Sequence, residues 1–181
     1  MFPLNLPNVL TVIRILLVPV LVVALLVNTA HGSVVAAIVF AVAAFTDGLD
    51  GYIARSRQSV TTFGKVMDPV ADKLLIAAAL ISLVSLGRVA AWIAMVIIAR
   101  EFAVSGLRIA AGQQSVVIPA SALGKIKTIV QVGAVLALIA VDNPSEAWVQ
   151  VLVYTAVVIT VVSGVDYFLN VRRRIEEART T

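Results

Sequence analysis

Residues 47–73 read DGLDGYIARSRQSVTTFGKVMDPVADK. The run before it, VVAAIVFAVAAFT at 34–46, and the run after it, LLIAAALISLV at 74–84, are almost wholly apolar. One helix-length apolar segment thus ends in Asp47 and Asp50, and another begins with Asp68 and Asp72. The polar run Arg55 to Gly64 joins them. The aspartates stand i, i+3 in the first segment and i, i+4 in the second, so on helices each pair shares one face. A short connection makes the two helices antiparallel neighbours, and the pairs can then converge.

Working outward, the whole chain has this character. Of 181 residues, 61% are hydrophobic and 13% charged, and the mean hydropathy is +1.05. A soluble domain carries about 25% charged residues, so this chain lacks the polar surface to cover a soluble core. A cytosolic enzyme, a disordered tail and a typical nucleic-acid binder are excluded. Cysteine is absent and His31 is the single histidine, so thiolate sites and His-rich metal sites are excluded too. The net charge of +4 reads as topology and anionic-lipid contact, with no nucleic-acid partner.

A spanning helix needs roughly 20 apolar residues. Six segments qualify: 9–29, 34–55, 66–86, 89–110, 121–141 and 147–169. The expected fold is an all-α integral membrane protein of six transmembrane helices, a single domain over 1–181. Turn residues mark the breaks at Asn28 to Ser33, Gly87-Arg88, Gly112 to Pro119 and Asp142 to Ser145. The N-terminal stretch lacks a basic leader and holds Arg14, so it reads as a retained first helix. Pro3 to Thr11, only moderately apolar, is expected to lie partly along the interface. With the N-terminus inside, Arg55, Arg57, Lys65, Arg108, Lys125, Lys127 and the tail Arg172, Arg173, Arg174 and Arg179 all fall on the inner side. Only Arg88 falls outside. That bias places both termini in the cytoplasm. Trp92 and Trp148 fall near outer helix ends, where interfacial anchors sit.

The aspartates then need an explanation. One acid at a helix centre costs about 2.5–3.5 kcal/mol on insertion scales. Two carboxylates about 5 Å apart repel by about 3 kcal/mol at an effective dielectric near 20. Protonation, local Arg or Lys, or divalent cations could neutralise four of them. Oxygen-only ligands favour hard ions such as Mg²⁺ or Mn²⁺, and four carboxylates suit two ions. Two ions suit phosphate chemistry. An ion-pair cluster with Arg55, Lys65 and Lys73 would hold two helices less economically than apolar packing does. A cation or proton pathway is the other alternative, but helices five and six carry no midplane acid to continue it. Gly48, Gly51 and Ala54 beside the carboxylates leave the backbone open to a ligand or to a neighbouring helix.

The stretch matches DxxDGxxARx8GxxxDxxxD at Asp47, Asp50, Gly51, Ala54, Arg55, Gly64, Asp68 and Asp72. In this it resembles the signature of the CDP-alcohol phosphotransferases. The resemblance implies that Asp47, Asp50, Asp68 and Asp72 bind Mg²⁺ or Mn²⁺, two ions in all. Asp72 would also be the base that deprotonates the acceptor hydroxyl. It implies that Gly51, Ala54, Arg55 and Gly64 hold the cytidine nucleotide. The opening NLPNVLTVIRI, the run IIAREFAVSGLR and PASALGKIKTIVQ resemble the branch of bacterial phosphatidylglycerophosphate synthases. That branch implies CDP-diacylglycerol as donor, glycerol 3-phosphate as acceptor and CMP as leaving product. It also implies a homodimer among membrane lipids in the bacterial cytoplasmic membrane, with its site at the inner face. Sister enzymes that use inositol phosphate, serine or phosphatidylglycerol share the core signature.

An anionic acceptor needs fixed positive charge. Arg100, Arg108, Ser121, Lys125, Lys127 and Thr128 are the candidates for its phosphate. Ser121, Lys125 and Thr128 share one helix face, while Lys127 points elsewhere with Gln131. Arg100 lies about 16 Å into its helix at 1.5 Å per residue, and an Arg that deep needs an acid or a phosphate. The neighbouring Glu101 is expected on a different face, so the two should not form a simple pair. Asn8, Thr11 and Arg14 are spaced to touch the donor's diphosphate.

Overall fold

The computed structural model describes the backbone of residues 6–27, 31–56, 62–113 and 122–180. It describes the side chains of these except 6–8, 47–56, 62–66, 68, 113, 122 and 175–180. Regular structure among the described residues is all helical. The order is α1 (Leu6–Leu26), α2 (Gly32–Ser56), α3 (Thr62–Ser85), α4 (Ala91–Gln113), α5 (Ala122–Ala140) and α6 (Ala147–Thr180). These are the six expected segments, with ends displaced by a few residues. The exception is α6, which runs on to Thr180. Its apolar stretch ends near Arg172, but Arg and Glu are good helix formers. The sequence also sets Arg172 with Glu176 and Arg173 with Glu177 at i, i+4. Hydropathy reports where a helix can leave the bilayer, not where it stops.

By length and composition, three helices among the described residues can cross a membrane, over Val9–Leu26, Leu123–Ala140 and Ala147–Arg174. Gly32–Thr46 is a shorter apolar helix. Every helix turns large apolar side chains outward. Leu16, Phe45, Ile81, Met95, Ile129 and Val151 are each more than 60% exposed. A soluble monomer rarely shows such continuous apolar surface, and lipid is the solvent that accommodates it. This is a membrane protein.

The chain divides into two compact units, residues 1–91 with 135–144, and residues 92–134 with 145–181. In the first unit α1 packs on α2 and α3, and α2 on α3. The buried stripes repeat at three and four residues: Thr11, Arg14, Val18 and Leu21 on α1; Ala36, Phe40 and Ala43 on α2; Ala71, Leu75, Ala79 and Leu83 on α3. The alanines let backbones approach closely, as helix pairs in lipid require. In the second unit the buried stripe of α6 runs Val149, Val153, Ala156, Thr160, Ser163, Tyr167 and Val171. It is apolar at one end and polar in the middle. Val104 and Ala111, with Leu107, pack against Tyr167 and Val171.

The break at Gly87 has a clear cause. Gly87 N–H donates to the Val84 carbonyl (3.0 Å) and Arg88 N–H to the Leu83 carbonyl (2.9 Å). Gly87 itself has φ +68°. This is a Schellman C-cap, whose left-handed residue has no side-chain penalty when it is glycine. Arg88 then donates to the backbone carbonyl of Val141, and to that of Asp142 at 3.5 Å. It thereby ties the end of α3 to the end of α5. Gly87→Ala should cost about 1–2 kcal/mol, the left-handed penalty of a Cβ, because nothing lies within 4 Å of the added carbon and strain is the sole cost. Thermal unfolding in detergent should show a lower Tm with unchanged turnover per folded molecule.

Candidate functional site

The first unit carries the aspartate signature. Asp47, Asp50, Gly51, Ala54 and Arg55 lie in the last ten residues of α2, and Gly64, Asp68 and Asp72 in the first eleven of α3. Counting from Ser56 back to Asp50 and from Thr62 on to Asp68 gives six residues each. Both positions are therefore about 9 Å from their helix ends at 1.5 Å per residue. Asp47 and Asp72 lie nine and ten residues in, again at matching depth. In sequence, Asp47 stands four residues after Ala43, and Asp68 and Asp72 stand seven and three residues before Leu75. Neighbouring antiparallel helices thus bring the four positions to two adjacent levels. The side chains of Asp47, Asp50, Gly51, Ala54, Arg55, Gly64 and Asp68 lie outside the described residues, as do that of Asn8 and the whole of Ser121.

Asp72 is the signature carboxylate whose side chain is described. It is 38% exposed, with the Lys73 ammonium 4.0 Å from its Oδ2. Lys73 Nζ also donates to the Pro69 carbonyl at 3.1 Å, so the lysine folds back along α3 and is shared between that carbonyl and Asp72. Pro69 interrupts the helix within the signature itself. Its missing N–H releases a backbone carbonyl one turn earlier. On α1, Thr11 and Arg14 are wholly buried, and neither lacks an interaction partner. They share the stripe of Val18 and Leu21 that faces the other helices of this unit. A fully buried guanidinium on a membrane helix needs a counter-charge or a ligand.

A carboxylate set fits a hard divalent ion by donor chemistry. Among the described residues no three acidic or histidine side chains gather as a metal site, and three of the four expected ligands lie outside that set.

The second unit gathers the basic candidates. Lys127 is buried and its ammonium donates to Glu101 Oε1. Arg100 Nη1 lies 3.5 Å from the same oxygen, and Nη2 donates to Ser163 Oγ at 2.8 Å. Glu101 Oε1 is shared between Arg100 and Lys127, so the adjacent residues are in contact without forming a simple pair. Successive residues do diverge around a helix, but the long, flexible arginine stem brings the guanidinium back to its neighbour's carboxylate. The division of α5 into two faces holds, with Lys127 and Gln131 buried and Lys125 and Thr128 exposed. Thr128 Oγ1 donates to the Gly124 carbonyl at 3.1 Å. Arg108 is exposed and its guanidinium carbon sits 5.7 Å from the Tyr167 ring centroid, a cation–π contact.

Sequence reasoning missed three residues here: Glu101 as a shared counter-ion, Ser163 as the arginine's acceptor, and Gly164. A Cβ on Gly164 would stand 3.1 Å from Arg100 Cγ, so the glycine leaves room for the arginine stem. The Ser163-Gly164 pair inside an apolar helix was the available signal. Trp92 stacks near Tyr154 with centroids 6.3 Å apart, and Trp148 Nε1 donates to Glu146 Oε2 at 2.6 Å. Both tryptophans are half-exposed, as amphipathic anchors are.

Comparison with known proteins agrees with the motif. The family model for CDP-alcohol phosphatidyltransferase matches residues 4–162. A CDP-diacylglycerol–glycerol-3-phosphate 3-phosphatidyltransferase of Bacillus subtilis is 43% identical, covering 91% of this chain and 93% of that protein. A probable phosphatidylglycerophosphate synthase of Mycobacterium tuberculosis is 41% identical over 98% of this chain and 86% of its own length. A Rickettsia felis CDP-diacylglycerol–glycerol-3-phosphate 3-phosphatidyltransferase is 39% identical over 91% and 93%. With the eight signature residues intact and the match spanning all but the chain ends, this chain belongs to the CDP-alcohol phosphatidyltransferase family.

Proposed function

We propose that this protein transfers the phosphatidyl group of CDP-diacylglycerol to glycerol 3-phosphate, giving phosphatidylglycerophosphate and CMP. The observation that carries this reading is the similarity of about 40% over nine-tenths of the chain to proteins named for that reaction. A lipid donor and a water-soluble acceptor fit a site near a membrane surface. The Lys and Arg bias puts that surface, and both termini, on the cytoplasmic side of a bacterial membrane.

Each residue set has a task in this reading. Gly51, Ala54 and Gly64 leave the helix backbones open to the cytidine nucleotide, and Arg55 offers a planar fork to it. Asn8, Thr11 and Arg14 meet the donor's diphosphate. Asp47, Asp50, Asp68 and Asp72 would hold two Mg²⁺ or Mn²⁺ ions. When bound, such ions neutralise charge on the diphosphate. Asp72, the last carboxylate of the signature, takes the proton of the acceptor hydroxyl. The hydroxyl oxygen then forms the new bond to the phosphatidyl phosphorus as the bond to CMP breaks. Arg100, Arg108, Ser121, Lys125, Lys127 and Thr128 supply the positive charge and hydroxyls for the acceptor phosphate. The working form is a homodimer among membrane lipids.

Detergent-purified protein should release CMP from CDP-diacylglycerol when given glycerol 3-phosphate with Mg²⁺ or Mn²⁺. EDTA should stop the release and added metal should restore it. Release with inositol phosphate, serine or phosphatidylglycerol instead would move the protein to a sister activity, and release with none would remove the enzyme reading. Asp72→Asn should lower turnover by about 10²–10⁴-fold, the usual range for losing a general base, while labelled CDP-diacylglycerol still binds. Lys125→Ala should raise the acceptor KM about fivefold, a loss of roughly 1 kcal/mol of binding, with the donor KM unchanged; equal changes in both would exclude Lys125 as an acceptor contact.

A further inference from the structure

We infer that Glu101 is a positioning residue that holds Arg100 and Lys127 together as one anion-binding pair for the acceptor's phosphate. The inference rests on the function proposed above. It comes from the geometry of two buried side chains and a half-buried arginine on two helices. Arg100, Glu101 and Lys127 have side chains only 14%, 11% and 7% exposed. Among the described side chains, the two cations share this one carboxylate.

Glu101 Oε1 is the shared point. Lys127 of α5 donates to it, and Arg100 Nη1 of α4 lies 3.5 Å away. Without that oxygen two like charges would repel, and a flexible lysine would turn toward water. The arginine is gripped from the other side by the 2.8 Å bond to Ser163 Oγ. Ser163 in turn donates to the Thr160 carbonyl at 3.3 Å. Gly164 receives the arginine stem. The guanidinium is therefore fixed in orientation, and its Nε is buried with no hydrogen-bond partner among the described residues. A guanidinium fixed in this way beside a second cation can offer its terminal N–H groups to a phosphate. Glu101 touches no substrate in this arrangement; it acts through the two cations.

Two substitutions separate positioning from simple charge balance. Glu101→Asp keeps the charge and withdraws the oxygen by one methylene. It should leave Tm near the wild-type value, raise the glycerol 3-phosphate KM by about tenfold and keep the CDP-diacylglycerol KM within about twofold. Glu101→Gln removes the charge, and should raise the acceptor KM further and lower Tm. Acceptor KM unchanged in Glu101→Asp, or both KM values raised equally, would show that Glu101 is only a buried counter-charge. If Glu101→Gln does not fold, Glu101→Asp decides alone. Wild-type protein run alongside keeps the two readings apart. No CMP from glycerol 3-phosphate in the wild type overturns the proposed function and this inference with it, whereas normal wild-type turnover with unchanged Glu101→Asp kinetics overturns this inference alone.

Discussion

A charged side chain that a helix carries into hydrocarbon must find a counter-charge or a ligand, because no water is there to solvate it. That constraint organises both units of this protein. The first unit sets a fully buried arginine and a run of aspartates at one end of three packed helices. The second surrounds one glutamate with a lysine and an arginine, then adds a serine hydroxyl from a third helix. Among the described side chains, Arg14 in the first unit and Glu101 and Lys127 in the second are buried together with the apolar core residues of their helices. Apolar packing therefore fixes where the charges stand, and the charges fix which ligands the packing can serve.

Much of this was legible in the sequence, for a physical reason. A bilayer imposes a length and an apolar requirement on every helix, so hydropathy alone separates six helices and places their connections. Gly87 announced its turn because only glycine takes a left-handed C-cap at no cost. The aspartate pairs declared themselves because carboxylates in lipid have no bland explanation, and their spacing put each pair on one face. What hydropathy could not show was the end of α6, where the helix continues on intrinsic propensity after the apolar requirement has lapsed.

The polar centre of the second unit was legible only in part. Arg100, Lys125 and Lys127 stood out as charges, and the two faces of α5 followed from their spacing. The role of Glu101 did not follow, because a spacing argument places Cβ atoms, whereas an arginine reaches several ångströms beyond its Cβ. Ser163 and Gly164 were quieter still. A serine and a glycine in a membrane helix are ordinary packing residues, and only the arginine lying across them gives them a task.

On the proposed function, the choice of aspartate in one unit and of long side chains in the other follows from what each would hold. An aspartate keeps its charge close to the backbone and has few rotamers to lose. Its oxygens are then placed chiefly by the helix, and matching depths on α2 and α3 become matching depths for a ligand. Such a set suits small ions that demand short, regular distances. Arginine and lysine carry their charge on long stems that helix register alone does not aim. They need a second set of contacts to fix them, which Glu101, Ser163 and Gly164 supply. A rigid backbone can be its own template for carboxylates, but a cationic pocket on flexible stems requires an acid within it.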